Sequence, residues 1–216
     1  MEQEGYTQLA GNTGYLLLKI PQDILDDIKI LVDGIQKDFT KASPANSTLA
    51  GQIDKEYSSH LSQKSTQYIR SLVEEFGKNN PKYIEAVLRL CKDKTPKFTY
   101  DGDSWVNFQK KYEYNPMHTH DGVFSYVIWY QVPFYKADEI KYGAGKGKNP
   151  KLNQNGEFEF IYYNGESIMN HPLSIDKTLE GYVAVFPSSL NHTVYPFYTS
   201  DDYRITVSGN LHLDNN

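Results

Sequence analysis

Apolar residues recur at a helical period in the first half of the chain and at alternate positions through much of the rest. Residues 15–20 read as a short strand. Pro21 then opens a stretch in which Ile24, Ile28, Ile30, Leu31 and Ile35 fall at helical spacing, with Gly34 weakening the helix near its end. Residues 41–58, with Ser, Pro, Asn and Gly, read as loop. Two further helices are expected over about 62–76 and 81–92, and Asn79-Asn80-Pro81 between them is a stop and restart signal. From about residue 97 the runs become short, aromatic and β-branched. Strands are expected over 104–114, 124–132, 156–163, 182–186, 192–198 and 203–213, bounded by Gly, Pro, Asn and Asp. That many strands in one span predicts a sandwich, a barrel or a jelly roll, with the preceding helices over the outer face of one sheet. Residues 137–155, rich in Gly and Lys, read as the longest loop, either a lid or a mobile connection.

A chain of 216 residues suits one domain with a sizeable core: helical support over about 1–100 and a β core over about 101–213. The net charge of -5 and the absence of a clustered basic face argue against nucleic acid as a partner. Cys91, the single cysteine, lies in the helical pattern 83–91 and reads as a small buried apolar side chain. One cysteine excludes an internal disulfide and fits a reducing compartment. No basic and apolar leader opens the sequence, and no apolar run approaches the roughly 20 residues that cross a bilayer. The expectation is a soluble cytoplasmic protein. Residues 143–148, Gly-Ala-Gly-Lys-Gly-Lys, imitate a phosphate loop, but Tyr142 and Asn149 occupy the positions that need Gly and Ser or Thr. Asn46-Ser47-Thr48 and Asn191-His192-Thr193 match the glycosylation pattern and are expected to be silent without a secretory signal.

Three histidines carry the most specific chemistry. In extended backbone His118 and His120 share a face, so both can hold one metal ion while His192, after the turn at 187–191, closes the site from another side. The plainer alternative is a pair of partly exposed histidines on a polar edge. His60, His171 and His212 lack a comparable setting and read as structural or exposed.

Along 203–210 alternation sends Arg204, Thr206, Ser208 and Asn210 to one face and Ile205 and Val207 to the other. An arginine facing a sheet interior needs an anion, and a carboxylate ligand would meet it bidentately, with the Thr206 hydroxyl as a second donor. Pairing outward with Asp201 or Asp202 is the competing possibility. The order His118, His120, His192, Arg204 points to a non-haem iron oxygenase.

Together these residues resemble the Fe(II)- and 2-oxoglutarate-dependent oxygenases, in particular a branch met in tailed-phage and marine sequences. The resemblance spans about residues 104–212. It rests on Trp105-Val106-Asn107, on Asn115-Pro-Met-His118-Thr-His120, on the strand from Phe124 to Tyr130, on Phe186 to His192 and on Arg204 to Asn210. It implies an α+β fold built on a double-stranded β-helix, with N-terminal helices packed on one sheet. The implied cofactors are Fe(II) and 2-oxoglutarate, with His118, His120 and His192 as metal ligands and Arg204 and Thr206 on the co-substrate. The implied reaction yields succinate and carbon dioxide and usually ends in hydroxylation of a small molecule or a peptide. One departure matters: the family's usual second ligand is Asp or Glu, and His120 stands there, with Asp121 its rival. Tyr126, Ile128 and Tyr130 either line the pocket or pack as ordinary core. A three-histidine cupin-type metal enzyme without 2-oxoglutarate, and a non-catalytic jelly-roll module, are the other readings.

Overall fold

The computed structural model describes residues 4–89, 98–99, 104–144 and 153–213. In chain order the elements are β1 (Gly5–Ala10), β2 (Thr13–Lys19), α1 (Gln22–Lys37), β3 (Glu56–Ser59), α2 (Gln63–Asn79), α3 (Pro81–Leu88), β4 (Phe98–Thr99), β5 (Ser104–Gln109), β6 (Asn115–His118) and β7 (Phe124–Gln131). They continue with α4 (Lys136–Ala144), β8 (Phe158–Tyr163), β9 (Ile168–Leu173), β10 (Tyr182–Pro187), β11 (Asn191–Val194) and β12 (Arg204–Leu213). The larger sheet has the order β1-β2-β10-β7-β12-β5-β3, with β4 beside β12, and the smaller has the order β6-β11-β8-β9. Every pairing between these strands is antiparallel.

Strand parity divides the interior into two cores, because successive side chains leave a strand on opposite faces. Ile128, Val183, Val185, Ile205 and Val207 leave the larger sheet toward the helices and meet Ile24 and Ile28 of α1 and Ile69, Leu72 and Phe76 of α2. Leu17, Val127, Trp129 and Ala184 leave by the other face and meet Phe158, Phe160 and Leu173 of the smaller sheet. The result is a double-stranded β-helix with helices on one sheet. The helices follow the sequence: Ser62 caps α2 by accepting from Ser65 N at 3.2 Å, and Asn80 caps α3 by accepting from Tyr83 N at 3.2 Å, with Pro81 in the first turn.

Several boundaries differ from the expectation. The run 104–114 holds only β5; the chain turns at Tyr112, whose φ of 74° is left-handed, and β6 begins beyond the run at Asn115. Residues 56–58, the end of a stretch read as loop, belong to β3; with a single apolar side chain, the strand is defined by its ladder to β5 instead. The supposed loop 137–155 begins with α4, whose acidic first turn, Asp138 and Glu139, suits a helix N-terminus. β1 and β9 had no clear signal in the sequence. Cys91 and most of the phosphate-loop imitation lie outside the described residues.

Phe76 is the joint of the helix-side core, fully buried and in edge contact with Phe124 at 5.1 Å, Tyr6 at 5.3 Å and Tyr83 at 5.8 Å. Phe76→Ala should cost about 3–5 kcal/mol in urea unfolding. Ile30→Ala, on the exposed face of α1, should stay within about 0.5 kcal/mol of the parent.

Candidate metal centre and anion pocket

The histidines meet because β6 and β11 run side by side. His118 ends β6 directly opposite His192 on β11. His120 lies past the end of β6, so it shares no strand face with His118; its backbone N–H donates instead to Ser188 O at 2.9 Å, which draws the loop over the site. The three imidazoles offer nitrogens that all lie within 4.8 Å of one another, and His120 Nε2 is 3.2 Å from His192 Nε2.

Backbone carbonyls orient two of the rings. His118 Nδ1 pairs with Pro116 O at 2.7 Å and His192 Nδ1 with Leu190 O at 2.9 Å, which assigns the proton to Nδ1 and leaves each Nε2 lone pair facing the others. Lone pairs so crowded suit a cation between them: two nitrogens each about 2.0–2.1 Å from one metal and at right angles lie about 3 Å apart. Protonation does not compete at neutral pH. Burial lowers the His118 pKa against an opposing contribution from Pro116 O; burial and then His118 lower His120 to about 4; burial, His118 and His120 hold His192 well below its usual range. Phe158 stacks on His192 at 5.2 Å and closes that side. The donor set therefore fits a metal ion. Asp121 is exposed and stands outside this group, and among the described residues His60, His171 and His212 do not join it.

Arg204 enters the same cavity, which encloses about 600 Å³ including its mouth and also has the three histidines and Thr206 in its walls. The guanidinium is 1% exposed, which overturns the outward alternative; Asp201 pairs with Lys111 at 2.7 Å instead. Nε and Nη2 donate to Gln109 Oε1 at 3.1 and 2.7 Å, Nη1 to Gly156 O at 2.7 Å and Nη2 to Tyr195 O at 3.0 Å. All of these acceptors are neutral. Burial lowers the guanidinium to about 9, and the Glu139 charge draws it back up. Glu139 is itself fully buried, and its carboxylate accepts from Tyr198 N, Thr199 N and Thr199 Oγ1 at 2.6–3.1 Å. Gly156 is required: its φ is +75°, and a Cβ there would stand 2.6 Å from the Phe134 ring that flanks the guanidinium. Sequence reasoning missed Glu139 because it lay in a presumed loop. It missed Gln109 although alternation along β5, directly opposite Arg204, marks it.

For Tyr126, Ile128 and Tyr130 of β7, pocket lining and core packing are both open in the sequence, and the structure separates them. Val127 and Trp129 line the cavity, whereas Ile128 and Tyr130 do not; they belong to the helix-facing side, as strand parity requires. Tyr126 borders the cavity but packs in the helix-side core. Two further walls were unforeseen: Glu56 and Asn107, both buried, with Glu56 Oε1 and Asn107 Oδ1 lacking hydrogen-bond partners among the described residues. Burial, and secondarily the Glu113 charge, raise the Glu56 carboxyl to about 7.

Residues 103–210 match the family described as "Putative 2OG-Fe(II) oxygenase". The chain belongs to this family. Its cofactors are accordingly Fe(II) and 2-oxoglutarate. The oxygenase's fold is similar to that of a prolyl-4-hydroxylase from Pseudomonas putida, with a TM-score of 0.51 at 14% identity over 93% of this chain and 92% of that one. It is similar also to a prolyl hydroxylase from Trichoplax adhaerens solved with a hypoxia inducible factor oxygen degradation domain peptide fragment, with a TM-score of 0.53 at 11% identity over 94% of this chain and 84% of that one. Among curated proteins none matches the chain. No helix of the described residues is long and apolar enough to cross a membrane.

His192→Ala should weaken Mn(II) binding, measured by calorimetry, by more than the 10–100-fold typical of losing an outer-shell partner. Glu56 gives a pH signature. Its carboxyl keeps a proton to about pH 7 in the folded protein and ionises near 4.5 when unfolded, so its contribution to stability is full below 4.5 and lost as pH rises through 7. Urea unfolding of Glu56→Gln, compared with the parent from pH 4.5 to 7.5, should show that slope removed.

Proposed function

We propose that the chain is an oxygenase that converts 2-oxoglutarate to succinate and carbon dioxide and hydroxylates a small-molecule or peptide substrate. The observation that carries this reading is the pairing, in one cavity, of three convergent neutral imidazoles with a buried guanidinium that has only neutral hydrogen-bond acceptors. In this reading His118, His120 and His192 hold Fe(II), with His120 in place of the family's usual carboxylate and Asp121 outside the set. When bound, the metal and the keto acid supply oxygen activation and oxidative decarboxylation.

The chain's own residues do the positioning. Arg204 pairs with the distal carboxylate of 2-oxoglutarate, and the Thr206 hydroxyl, on the same face of β12, is a second donor. Gln109 Oε1 and the Gly156 and Tyr195 carbonyls fix the guanidinium plane before any ligand arrives, and Phe134 and Phe197, at 5.8 and 5.6 Å, exclude water from its flanks. The dry setting strengthens an ion pair. Trp129 and Phe158 keep the centre of the cavity apolar. The peptide bound by the Trichoplax relative supports a peptide as one substrate class, and the single cysteine suits a reducing cytoplasm.

A three-histidine cupin-type enzyme that needs no keto acid has the metal geometry in its favour but gives Arg204 no role. Arg204→Ala separates the two. Oxygenase turnover, followed as Fe(II)-dependent succinate formation, should be lost and 2-oxoglutarate binding should weaken by about 2–5 kcal/mol, while Mn(II) binding is kept. A parent protein that binds Mn(II) but neither binds 2-oxoglutarate nor forms succinate would instead support the cupin reading.

A further inference from the structure

One acid in the cavity has no part in the chemistry proposed above. Glu56 lies on β3 directly across from Asn107 of β5, which in turn faces Thr206 of β12, so the three share one row of the sheet. Glu56 is 2% exposed, and among the described residues its Oε2 reaches only Asn46 Nδ2 at 3.4 Å and its Oε1 has no partner. Asn46 offers it little, since the same amide nitrogen donates to Ile53 O at 2.7 Å and to Asp54 O at 3.3 Å. Asn107 Oδ1, on the neighbouring strand, is unpaired as well.

Two buried acceptors on one wall, with no donor supplied by the fold, each cost about 1–3 kcal/mol unless a ligand brings the donors. Residues directly opposite on paired strands have Cβ atoms about 4.5–5.5 Å apart, a spacing that lets both oxygens address one group. The surroundings favour a positive one. Leu49, Ala50 and Ile53 keep this end of the cavity apolar, Glu113 adds a second negative charge nearby, and the guanidinium of Arg204 is held by Gln109, Gly156 and Tyr195. A cation bearing N–H groups would supply donors and charge together, and would favour the ionised carboxylate over the protonated one.

We propose that Glu56, with Asn107 beside it, binds an ammonium or guanidinium group of the prime substrate, so that this oxygenase acts on an organic amine. The inference rests on the oxygenase reading: the cavity then takes an anion at Arg204 and a cation at Glu56.

The test uses the full chain at pH 8 and ligand-observed NMR titration with butylammonium chloride, methylguanidinium chloride and, as the uncharged comparison, 1-butanol. Each is titrated with and without Zn(II) and 2-oxoglutarate into the parent, Glu56→Gln and Glu56→Met. Two replacements are used so that one folded variant suffices, with folding checked by thermal unfolding. The expected result is that both cations bind the parent and weaken at least tenfold in either variant, while 1-butanol binds all three proteins alike. Absence of cation binding to the parent, or equal binding to the variants, overturns the assignment; the second result is what a protonated Glu56 simply donating to Asn107 Oδ1 would give. Binding of Zn(II) and 2-oxoglutarate is read separately on the parent, and its failure would count against the oxygenase reading while the cation titration of the metal-free protein still decides the role of Glu56.

Discussion

A guanidinium shut between two β-sheets imposes the strictest requirement in this fold. It cannot shed its charge as readily as a buried lysine, and its five N–H donors must find acceptors or forfeit several kilocalories. The fold meets four of the five with parts drawn from distant stretches of chain: Gln109 from β5, the carbonyl of Gly156 just before β8, and the carbonyl of Tyr195 just after β11. Glu139 on α4 contributes the balancing charge without touching it, being tied down by the backbone N–H groups of Tyr198 and Thr199. The smaller sheet is thereby registered against the larger at one charged point, and the glycine at 156 is the only residue type that lets Phe134 pack over that point.

The two-core arrangement follows from the same alternation that turns Arg204 inward. Ile205 and Val207 face the helices because Arg204 and Thr206 face the cavity, and one strand thus contributes to stability and to chemistry by parity alone. A one-residue slip of β12 would exchange the two sets, burying isoleucine at the metal cavity and driving a guanidinium into the helix packing. The aromatic packing of Phe76 and Phe124 on the helix side resists that slip. The residues that carry function and those that hold the sheet in register are therefore interleaved rather than segregated.

This explains what could be read in the sequence. His118, His120, His192, Arg204 and Thr206 were visible because each belongs to a short local pattern, and the structure brings all five to one cavity. Gln109, Glu139, Gly156 and Glu56 were not, because their importance comes from long-range partners: a glutamine on a strand is unremarked until the arginine 95 positions away is known to face it. The parity of the pocket walls on β7 stayed open for a related reason. Both faces of that strand are aromatic or aliphatic, so periodicity could not tell the helix side from the cavity side. Secondary structure failed at β3 and α4 where composition was polar and tertiary pairing supplied the order.

In the proposed metal set, an imidazole in place of a carboxylate would change the charge of the whole cavity. Three imidazoles held neutral by burial bring no negative charge to a divalent ion, whereas the usual ligand set brings one. With Arg204 also cationic, that end of the cavity would be more positive than with a carboxylate ligand, and a dianionic co-substrate would gain accordingly. Three imidazoles would hold a divalent ion less firmly than a set with a carboxylate, because attraction between ligand charge and metal charge would be the part removed. Metal retention and co-substrate binding should then be coupled more tightly here than with a carboxylate ligand, each raising the affinity for the other by the same factor. Glu56 lies on the far strand of that row, where a negative charge can balance the surplus without occupying a coordination position.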